Sequence, residues 1–458
     1  MRRLPLILLF AMASSACDSV VPPNPKFASE TNPGQFTCTT ALQPPGQGDP
    51  ITLGAVLPMT GPDGKPDDRA LHRSRAMVLA LEEANQRGGV ADRLFRLRVC
   101  DTGGGWVTSG EDEARGLATW LVDHEGVQAL LAGGSGDTLA IQSVTRQRGA
   151  LLMSVSATAM EITDLMDDGL VWRVAPSDLH QGLVLAWLAE AALAKTSNKT
   201  VAVMAISNPY GDGLNKVISD HLPADSHVAY ILEADGSNLA SELKRANGDK
   251  PGALIVVASA LMSAQVVNAL AQHKNLAAAQ VLLSDSAHNP DMLAAVKDSK
   301  LLAGVRGTLP GGPAGPAYKT FASRYMSKFG ADPAQQSYTA HSYDAAYCLA
   351  LAHAWALGAG GSAKVDGKSL SEGLQQLASA ATPTTLEPTG FSTLRKSLMS
   401  GNAVNIAGAS GPLDFDPESG EASSPVQIWS VSSAGAFASE KWVHVVNDGG
   451  VDAVQELP

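Results

Sequence analysis

Residues 51–100 read ITLGAVLPMTGPDGKPDDRALHRSRAMVLALEEANQRGGVADRLFRLRVC, and this stretch decides the class of fold. It opens with a short apolar run, Ile51–Leu57, that is typical of a buried strand. Over Arg69–Arg87 the apolar residues fall at helical spacing, and Gly88-Gly89 supplies the stop. A second apolar run, Phe95–Cys100, follows. This order predicts a βαβ unit with parallel strands.

The same alternation of predicted strands and helices continues along the chain. It gives more strand–helix units than a single sheet usually contains. The character changes at Trp172–Asp178, which we interpret as a crossing loop between two lobes. The sequence therefore predicts an α/β fold of two doubly wound, Rossmann-like lobes. Candidate strands are Ile51–Leu57, Phe95–Cys100, Val127–Ala132, Leu151–Ser154, Thr200–Ile206, His227–Leu232, Ala253–Ala258, Gln280–Leu283, Ile428–Val431 and Trp442–Val446. A polar stretch, Ser379–Gly408, is expected to be a surface excursion.

Composition excludes several classes of protein. The chain has 458 residues and a net charge of −12, which argues against a protein that binds the phosphates of nucleic acids. Its four cysteines exclude a disulfide-dense scaffold. Cysteine and histidine do not cluster at metal spacing, so neither a metal nor a cofactor is expected.

The N-terminal residues indicate export. Arg2-Arg3, the apolar run Leu4–Ala13 and the small residues Ser14-Ser15-Ala16 are typical of a secretory signal over residues 1–16. Cys17 then resembles the lipidated cysteine of a bacterial lipobox, although Ser14 stands where a leucine is usual. Plain cleavage or a retained anchor are the alternatives. Residues 17–50 are rich in proline and are expected to form an extended tether.

The expected compartment is the bacterial cell envelope, with the protein attached by lipid to a membrane and facing the periplasm or the exterior. Such an oxidising setting permits a disulfide. Cys38 and Cys100 are the expected pair, because Cys100 ends an apolar strand near the start of the body. Cys348 instead lies inside a helical apolar run and is expected to be a buried free thiol.

Two loops that follow neighbouring strands are candidates for ligand binding. Gly133–Thr138 is a glycine-rich turn that opens a helix, and Ser154–Ala159 places further hydroxyls after the next strand. A helix N-terminus presents free N–H groups to an anion, here most simply a carboxylate. An ordinary helix cap is the alternative for the first loop. Because both loops lie beyond the carboxyl ends of parallel strands, we expect them to converge on one carboxylate site.

A set of segments resembles, in the same order along the chain, the type 1 periplasmic substrate-binding proteins of the leucine/isoleucine/valine-binding family, which serve branched-chain amino acid ABC transporters. The resemblance spans residues 51 to about 432. Its segments are Ile51–Pro62, Glu83–Asn85, Gly88–Val90, Cys100-Asp101, Ser154–Thr163, Arg173–Asp178, Gln181-Gly182, Pro209–Gly213, Tyr343–Ala345 and Gly411–Asp416.

The resemblance implies two lobes joined by three crossings, closing like a clam on one small molecule. We expect lobe 1 to comprise residues 51–175 and 309–410, and lobe 2 residues 176–308 and 411–458. In the family, hydroxyls of the loop matching Ser135 and the threonine matching Thr158 hold the ligand's carboxylate. Main chain near Ser156 and an acidic residue of the second lobe hold its ammonium group. Asp285 occupies that acidic position, although alone it would be a turn or cap residue. The expected ligand-binding residues are Ser135, Thr138, Ser156, Ala157, Thr158, Tyr210 and Asp285.

The expected function is an extracytoplasmic solute-binding lipoprotein, a monomer that captures a small amino acid or related carboxylate for an ABC permease in the membrane. The fold equally suits a ligand-sensing module without a transport role. An amidase- or esterase-like enzyme is a weaker alternative, because no spacing brings a nucleophile, a base and oxyanion donors together. We therefore expect the chain not to be an enzyme, with no catalytic residues.

Overall fold

The computed structural model describes residues 26–27, 36–46, 48–61, 64–103, 110–311, 315–361, 365–448 and 451–457. It shows two lobes, each with a central sheet of mainly parallel strands and helices packed against it. The predicted α/β fold with two doubly wound lobes is confirmed. The predicted signal segment 1–16 and Cys17 lie outside the described residues.

The elements are numbered in chain order. The strands are β1 (Lys26–Phe27), β2 (Phe36–Leu42), β3 (Ile51–Leu57), β4 (Phe95–Asp101), β5 (Ala129–Ala132), β6 (Leu151–Ser154), β7 (Val171–Arg173), β8 (Val201–Ile206), β9 (His227–Leu232), β10 (Ala253–Val257), β11 (Gln280–Leu283), β12 (Arg306–Pro310), β13 (Pro383–Thr385), β14 (Asn405–Ala407), β15 (Phe415–Asp416), β16 (Glu421–Ala422), β17 (Val426–Val431), β18 (Phe437–Asp448) and β19 (Val451–Glu456). The α-helices are α1 (Asp68–Gln86), α2 (Glu111–Asp123), α3 (Ser135–Arg148), α4 (Asp178–Leu193), α5 (Pro209–His221), α6 (Leu239–Asp249), α7 (Ala260–Ala269), α8 (Lys274–Ala277), α9 (Pro290–Ala295), α10 (Pro316–Phe329), α11 (Thr339–Leu357), α12 (Gly367–Gln375) and α13 (Pro388–Met399).

The first lobe is built on a sheet with the order β1-β2-β4-β3-β5-β6-β7-β16-β15. The βαβ unit read from the sequence lies at its centre, where β3 pairs in parallel with both β4 and β5. Helix α1 begins at Asp67, whose side chain accepts a hydrogen bond from the N–H of Ala70 at 3.0 Å. It stops before Gly89, where φ is +61° and a Cβ would lie 2.0 Å from the carbonyl oxygen of Arg93. Only glycine fits this turn.

The second lobe is built on a sheet with the order β19-β18-β17-β12-β11-β10-β8-β9. Strands β8 to β12 pair in parallel, and the closing strands β17, β18 and β19 extend the sheet in antiparallel fashion. The core of the first lobe lies where α11 packs against α1 and the sheet, and separate apolar clusters fill the second lobe. Each lobe therefore presents the carboxyl ends of its parallel strands at one edge.

The chain passes between the lobes three times. It crosses from β7 to the second lobe, returns after β12 and crosses again between β16 and β17. Arg173 at the end of β7 forms an ion pair with Glu421 in β16, in which the arginine is buried and the glutamate half-buried. This ion pair joins the chain at the points where the first and third crossings begin. The expected boundary at residue 411 is therefore wrong. Residues 415–422 complete the first sheet, because β16 adds in parallel to β7.

Two other expectations are corrected. Residues 36–42, expected to be part of an unpacked tether, form β2, which pairs antiparallel with β4. Cys38 lies opposite Cys100 in this pairing, and a disulfide joins the two, whereas Cys348 is a buried free thiol. The stretch Ser379–Gly408, expected at the surface, contributes the buried Phe391 and Leu398 of α13 to the first core.

Among the described residues, no helix is both long enough and apolar enough to span a bilayer.

Candidate functional site

A cavity of about 220 Å³ lies between the two lobes, at the carboxyl ends of both parallel sheets. This is the position at which open α/β sheets bind ligands. Its described walls come from α1, from the start of α2, from the loops after β3, β5, β6, β8, β9 and β11, and from the chain that leads into α11. They are Pro58, Arg69, Arg73, Gly110, Glu111, Gly134, Ser135, Gly136, Asp137, Ser156, Ser207, Asn208, Pro209, Tyr210, Ala234, Asp285, Ser286, Ser337 and Tyr338.

The N-terminus of α3 forms one wall on the first lobe. Gly134 is its N-cap residue and offers no side chain to the free N–H groups of the first turn. The Ser135 hydroxyl oxygen accepts hydrogen bonds from the N–H groups of Thr158 and Ala159, at 3.3 and 3.2 Å. Because these bonds use its acceptor capacity, the hydroxyl keeps its proton to donate into the cavity. Ser135 therefore suits a bound anion.

Arg73 lies beside this wall and is the cation of the site. Its side chain leaves α1, its Nη1 donates to the Ser156 hydroxyl at 2.9 Å, and its Nε donates to the carbonyl oxygen of Ser337 at 3.3 Å. The residue is only 8% exposed, and no carboxylate among the described residues forms an ion pair with it. Burial, with the neighbouring charge of Arg69 as a second cause, lowers the pKa of Arg73 to about 10. The guanidinium remains charged at neutral pH, and the described carboxylates Asp67 and Asp285 act on it from beyond ion-pair distance.

Asp285 supplies the negative charge of the second lobe. It follows β11, and its two carboxylate oxygens accept hydrogen bonds from the Tyr210 hydroxyl at 2.5 Å and the Tyr338 hydroxyl at 2.8 Å. Burial and the charge of Asp285 raise the pKa values of both tyrosines well above their ordinary range, so both remain proton donors. Each carboxylate oxygen keeps a further lone pair that a ligand ammonium group can use. The Tyr338 bond joins the two lobes, because Tyr338 belongs to the first and Asp285 to the second.

Two further carboxyl groups in or near the cavity hold their protons unusually tightly. Burial raises the pKa of Asp137 to about 7, with the charge of Glu111 as a second cause. Burial raises the pKa of Asp178 to about 8, with Asp285 as the second cause. Asp137 lines the cavity and Asp178 begins α4 at the first crossing. The net charge of the site therefore changes near neutral pH.

The comparison with protein families agrees with this geometry. The family model described as a periplasmic binding protein matches residues 50–436. The chain belongs to the periplasmic binding protein family. The family and the relatives below consist of binding proteins and receptors and not of enzymes.

Three known proteins are similar to this periplasmic binding protein. A leucine-binding protein, LivK, from Thermotoga maritima has a TM-score of 0.67 at 20% identity, covering 86% of this chain and 98% of its own. LivJ from Streptococcus pneumoniae, a branched-chain amino acid transporter substrate-binding protein solved with isoleucine, has a TM-score of 0.65 at 16% identity, covering 86% and 99%. At these sequence identities, the similarity to the two structures shows only that this chain shares their fold.

The third relative is a substrate-binding protein, BasB, of a chemotactic signal transduction system in Halobacterium salinarum. It is 27% identical over 226 residues, which are 49% of this chain and 53% of the relative. The chain thus matches about half the length of this curated relative. Both transport and signalling systems are represented among the relatives of this periplasmic binding protein.

The structure brings four of the predicted binding residues to the cavity, namely Ser135, Ser156, Tyr210 and Asp285. The other three lie behind its walls. The Thr138 hydroxyl donates to that of Ser154 at 3.1 Å, and the N–H of Ala157 donates to the same Ser154 oxygen at 3.0 Å. The main chain of Thr158 bonds to Ser135 and to Asp178, while its side chain is buried away from the cavity. These three residues shape the two loops.

Sequence reasoning missed Arg73 and Tyr338. Arg73 had a readable signal, because it continues the buried stripe of α1 that holds Met77, Ala80 and Ala84, and a cation on such a stripe needs an anion or a cavity. Tyr338 had none, because its role depends on a backbone φ of +65°, which residues other than glycine rarely adopt. Among the described residues no group of His, Cys, Asp and Glu could hold a metal ion.

Proposed function

We propose that this periplasmic binding protein captures a small amino acid or a related carboxylate between its lobes. The observation that carries the proposal is the buried guanidinium of Arg73, which faces the cavity and forms no ion pair with a described carboxylate. A buried charge is costly when unpaired, and a ligand carboxylate would provide the missing partner. Asp285, on the other lobe, has lone pairs left that can accept hydrogen bonds from an ammonium group.

Several wall residues would hold the carboxylate together. Arg73 and the Ser135 and Ser156 hydroxyls each have a proton to donate, and the free N–H groups at the start of α3 add to them. The relatives that bind leucine and isoleucine support an amino acid as the ligand. We propose further that Thr138, Ala157 and Thr158 act by holding the two loops in place.

Lobe closure would follow ligand capture. Tyr338 already bonds across the cleft to Asp285, so a ligand that bridges Arg73 and Asp285 would add to an existing link between the lobes. Ligand binding should therefore stabilise the closed form and raise the melting temperature.

We also propose that the protein is a monomeric lipoprotein, attached through Cys17 to the cell envelope and delivering its ligand to an ABC permease. The relative that is a branched-chain amino acid transporter substrate-binding protein supports this role. The chemotaxis relative favours a second candidate, a sensing module that signals through a membrane receptor. Neighbouring permease and ATPase genes would favour delivery, and a neighbouring receptor gene without them would favour sensing.

A thermal-shift screen with matched compounds tests the binding proposal. Each amino acid is compared with its amide, which lacks the carboxylate, and with its deaminated acid, which lacks the ammonium group. We expect acids to raise the melting temperature and their amides to fail. If amides stabilise the protein as well as the acids do, the carboxylate site is refuted. If the deaminated acid equals the amino acid, Asp285 is not an ammonium partner.

A further inference from the structure

The wall of the ligand cleft contains few apolar side chains. Within the described part of the chain, no Leu, Ile, Val, Met, Phe or Trp side chain lines it. Apart from two tyrosine rings, its apolar side chains are those of Pro58, Pro209 and Ala234, and glycines and polar or charged residues make up the rest. A branched apolar side chain of a ligand binds through apolar contacts, which this wall offers sparsely. The wall thus favours a ligand with a polar side chain.

Two carboxyl groups lie on the first-lobe side of the cleft, apart from Asp285 on the second lobe. Glu111 begins α2 and Asp137 lies in the first turn of α3, and both residues line the cleft. The charge of Glu111 is the second cause, after burial, of the raised pKa of Asp137, so the two carboxyl groups are close enough to repel each other. A cation bound between them would reduce this repulsion.

The carboxyl group of Asp137 forms no hydrogen bond or ion pair within the described residues. Its Oδ2 atom lies 3.3 Å from the position that a Cβ would take on Gly133, and Cδ of Pro58 lies 3.4 Å from the same position. The carboxyl group therefore lies beside Pro58, another residue of the cleft wall. Its oxygens remain available to a ligand that donates hydrogen bonds.

Glu111 is only weakly compensated. Its single ion pair within the described residues is with Arg115 at 3.8 Å, and Arg115 lies closer to Asp112, at 2.6 Å. The side chain of Glu111 is 42% exposed, so this residue forms the outer part of the wall. Distant, half-exposed pairs of this kind contribute little. The carboxylate of Glu111 is therefore also able to accept a cation from the cleft.

The two arginines of the cleft do not neutralise these acids. Arg69 is paired with Asp67 at 2.9 Å. Arg73 attracts Asp137 without forming an ion pair with it, and under the proposed function the ligand carboxylate takes up the charge of Arg73. With the ligand ammonium group at Asp285, Glu111 and Asp137 remain as the negative part of the described wall for the ligand side chain to meet.

We propose that the ligand is an amino acid with a cationic side chain, whose ammonium or guanidinium group binds between Glu111 and Asp137. The inference rests on the proposed function and deepens it by naming the class of amino acid. Both kinds of cation donate charge-assisted hydrogen bonds to carboxylates. Such a ligand sets this chain apart from the similar proteins that bind leucine or were solved with isoleucine.

Isothermal titration with two pairs of amino acids tests the proposal. Lysine is compared with norleucine, which lacks the side-chain ammonium group, and arginine with its uncharged analogue citrulline. Because citrulline keeps N–H donors, the second pair measures the charge alone. We expect the cationic member of at least one pair to bind at least about fivefold more tightly than its partner, the range of one partly exposed charge pair. A smaller gain in both pairs overturns the proposal.

Two variants locate the cation. Asp137→Asn and Glu111→Gln each remove one negative charge with little change of shape, so the ratio of the two Kd values in the preferred pair should fall at least about twofold in each variant. Asp92→Asn is the matched control, because Asp92 is exposed in the turn before β4, at the opposite edge of the sheet from the cleft. An unchanged ratio in both cleft variants would refute the assignment to this pair. Retained binding of the uncharged partner shows that a variant is folded.

Different results would refute the proposed function and the cationic class of ligand. If norleucine and citrulline bind as tightly as lysine and arginine, and Arg73→Met abolishes their binding, the carboxylate site stands and the cationic class is refuted. The same holds if none of the four binds below about 5 mM while the thermal-shift screen finds another acid. If the screen finds no acid at all, the proposed function fails, and the cationic class fails with it.

Discussion

Replacing Arg73 by methionine should remove binding of an acidic ligand and leave the fold intact. Within the described part of the chain, the guanidinium makes two hydrogen bonds, to the Ser156 hydroxyl at 2.9 Å and the Ser337 carbonyl at 3.3 Å, and no ion pair. Methionine fills similar space and removes a buried charge. The loss of two hydrogen bonds lowers the free energy of unfolding, and removal of a buried cation that forms no ion pair offsets that loss. We expect a change in stability within about 1 kcal/mol, or roughly 2 °C in melting temperature.

The effect on binding is much larger. A bound carboxylate that has lost its buried cationic partner is left desolvated and unpaired, which typically costs 2–5 kcal/mol, so about 3–4 kcal/mol is a central value here. This corresponds to a roughly 150- to 800-fold rise in Kd. Arg73→Lys keeps the charge but loses the planar fork and the bond geometry to Ser156, so its loss should be intermediate.

Isothermal titration with the best acid from the screen measures these effects. Arg69→Met is the matched control, because Arg69 also lines the cavity but is paired with Asp67 at 2.9 Å. Its Kd should rise less than about tenfold, the range of a compensated charge pair. An Arg73→Met protein that keeps its Kd within about threefold would refute the assignment of Arg73 to the carboxylate. A fall in melting temperature of more than about 6 °C would instead make Arg73 a structural residue.

Three other predictions follow from the same cleft. Because the pKa of Asp137 is raised to about 7, this carboxyl group becomes negatively charged as pH rises through neutrality. The affinity for an acidic ligand should therefore fall several-fold between about pH 6 and pH 8. Titrations at each pH should show a flatter dependence for Asp137→Asn. Tyr338→Phe removes the hydrogen bond that reaches Asp285 across the lobes, so it should increase the radius of gyration measured without ligand by solution scattering. Tyr210→Phe removes a hydrogen bond within one lobe and should leave the radius unchanged. Equal radii for the two variants would contradict a role of Tyr338 in holding the lobes together. The pKa of Asp178 is raised to about 8, so the folded state holds this proton more tightly and stability falls as pH rises from about 4 to about 8. Asp178→Asn should therefore match the wild type in urea unfolding at about pH 4 and exceed it at about pH 8; the same difference at both would disprove the shift.

The fold could be predicted because its signals are local. The run Ile51–Leu57, the helical stripe after it and the stop at Gly88-Gly89 each follow from neighbouring residues, and the elements lie within a few residues of their predicted ends. Strand β2 was missed because the surrounding prolines outweighed its threonines, Thr37, Thr39 and Thr40, although such residues favour strands.

The site was harder to predict, because its residues meet only in three dimensions. Tyr338 and Asp285 are 53 positions apart, and Arg73 and Ser337 are 264 apart. The segment containing Tyr343-Asp344 carried the family resemblance, yet it is structural: Asp344 accepts bonds from the N–H groups of Ala409 and Ser410 at 2.9 and 2.7 Å. A segment that marks a family thus need not touch the ligand.

The three crossings have a consequence for biosynthesis. Strands β1 to β7 leave the ribosome early, but their core is incomplete without α11, which begins at Thr339 after the central strands of the second lobe. At about 5–20 residues per second, the interval from Arg173 to Thr339 lasts roughly 10–30 s. During this time α1 and the face of the first sheet beneath it lack the cover of α11, whereas α2 and α3 already cover the other face. A nascent chain that cannot bury its first lobe early stays accessible to chaperones, and neither lobe is made of one continuous segment of the chain.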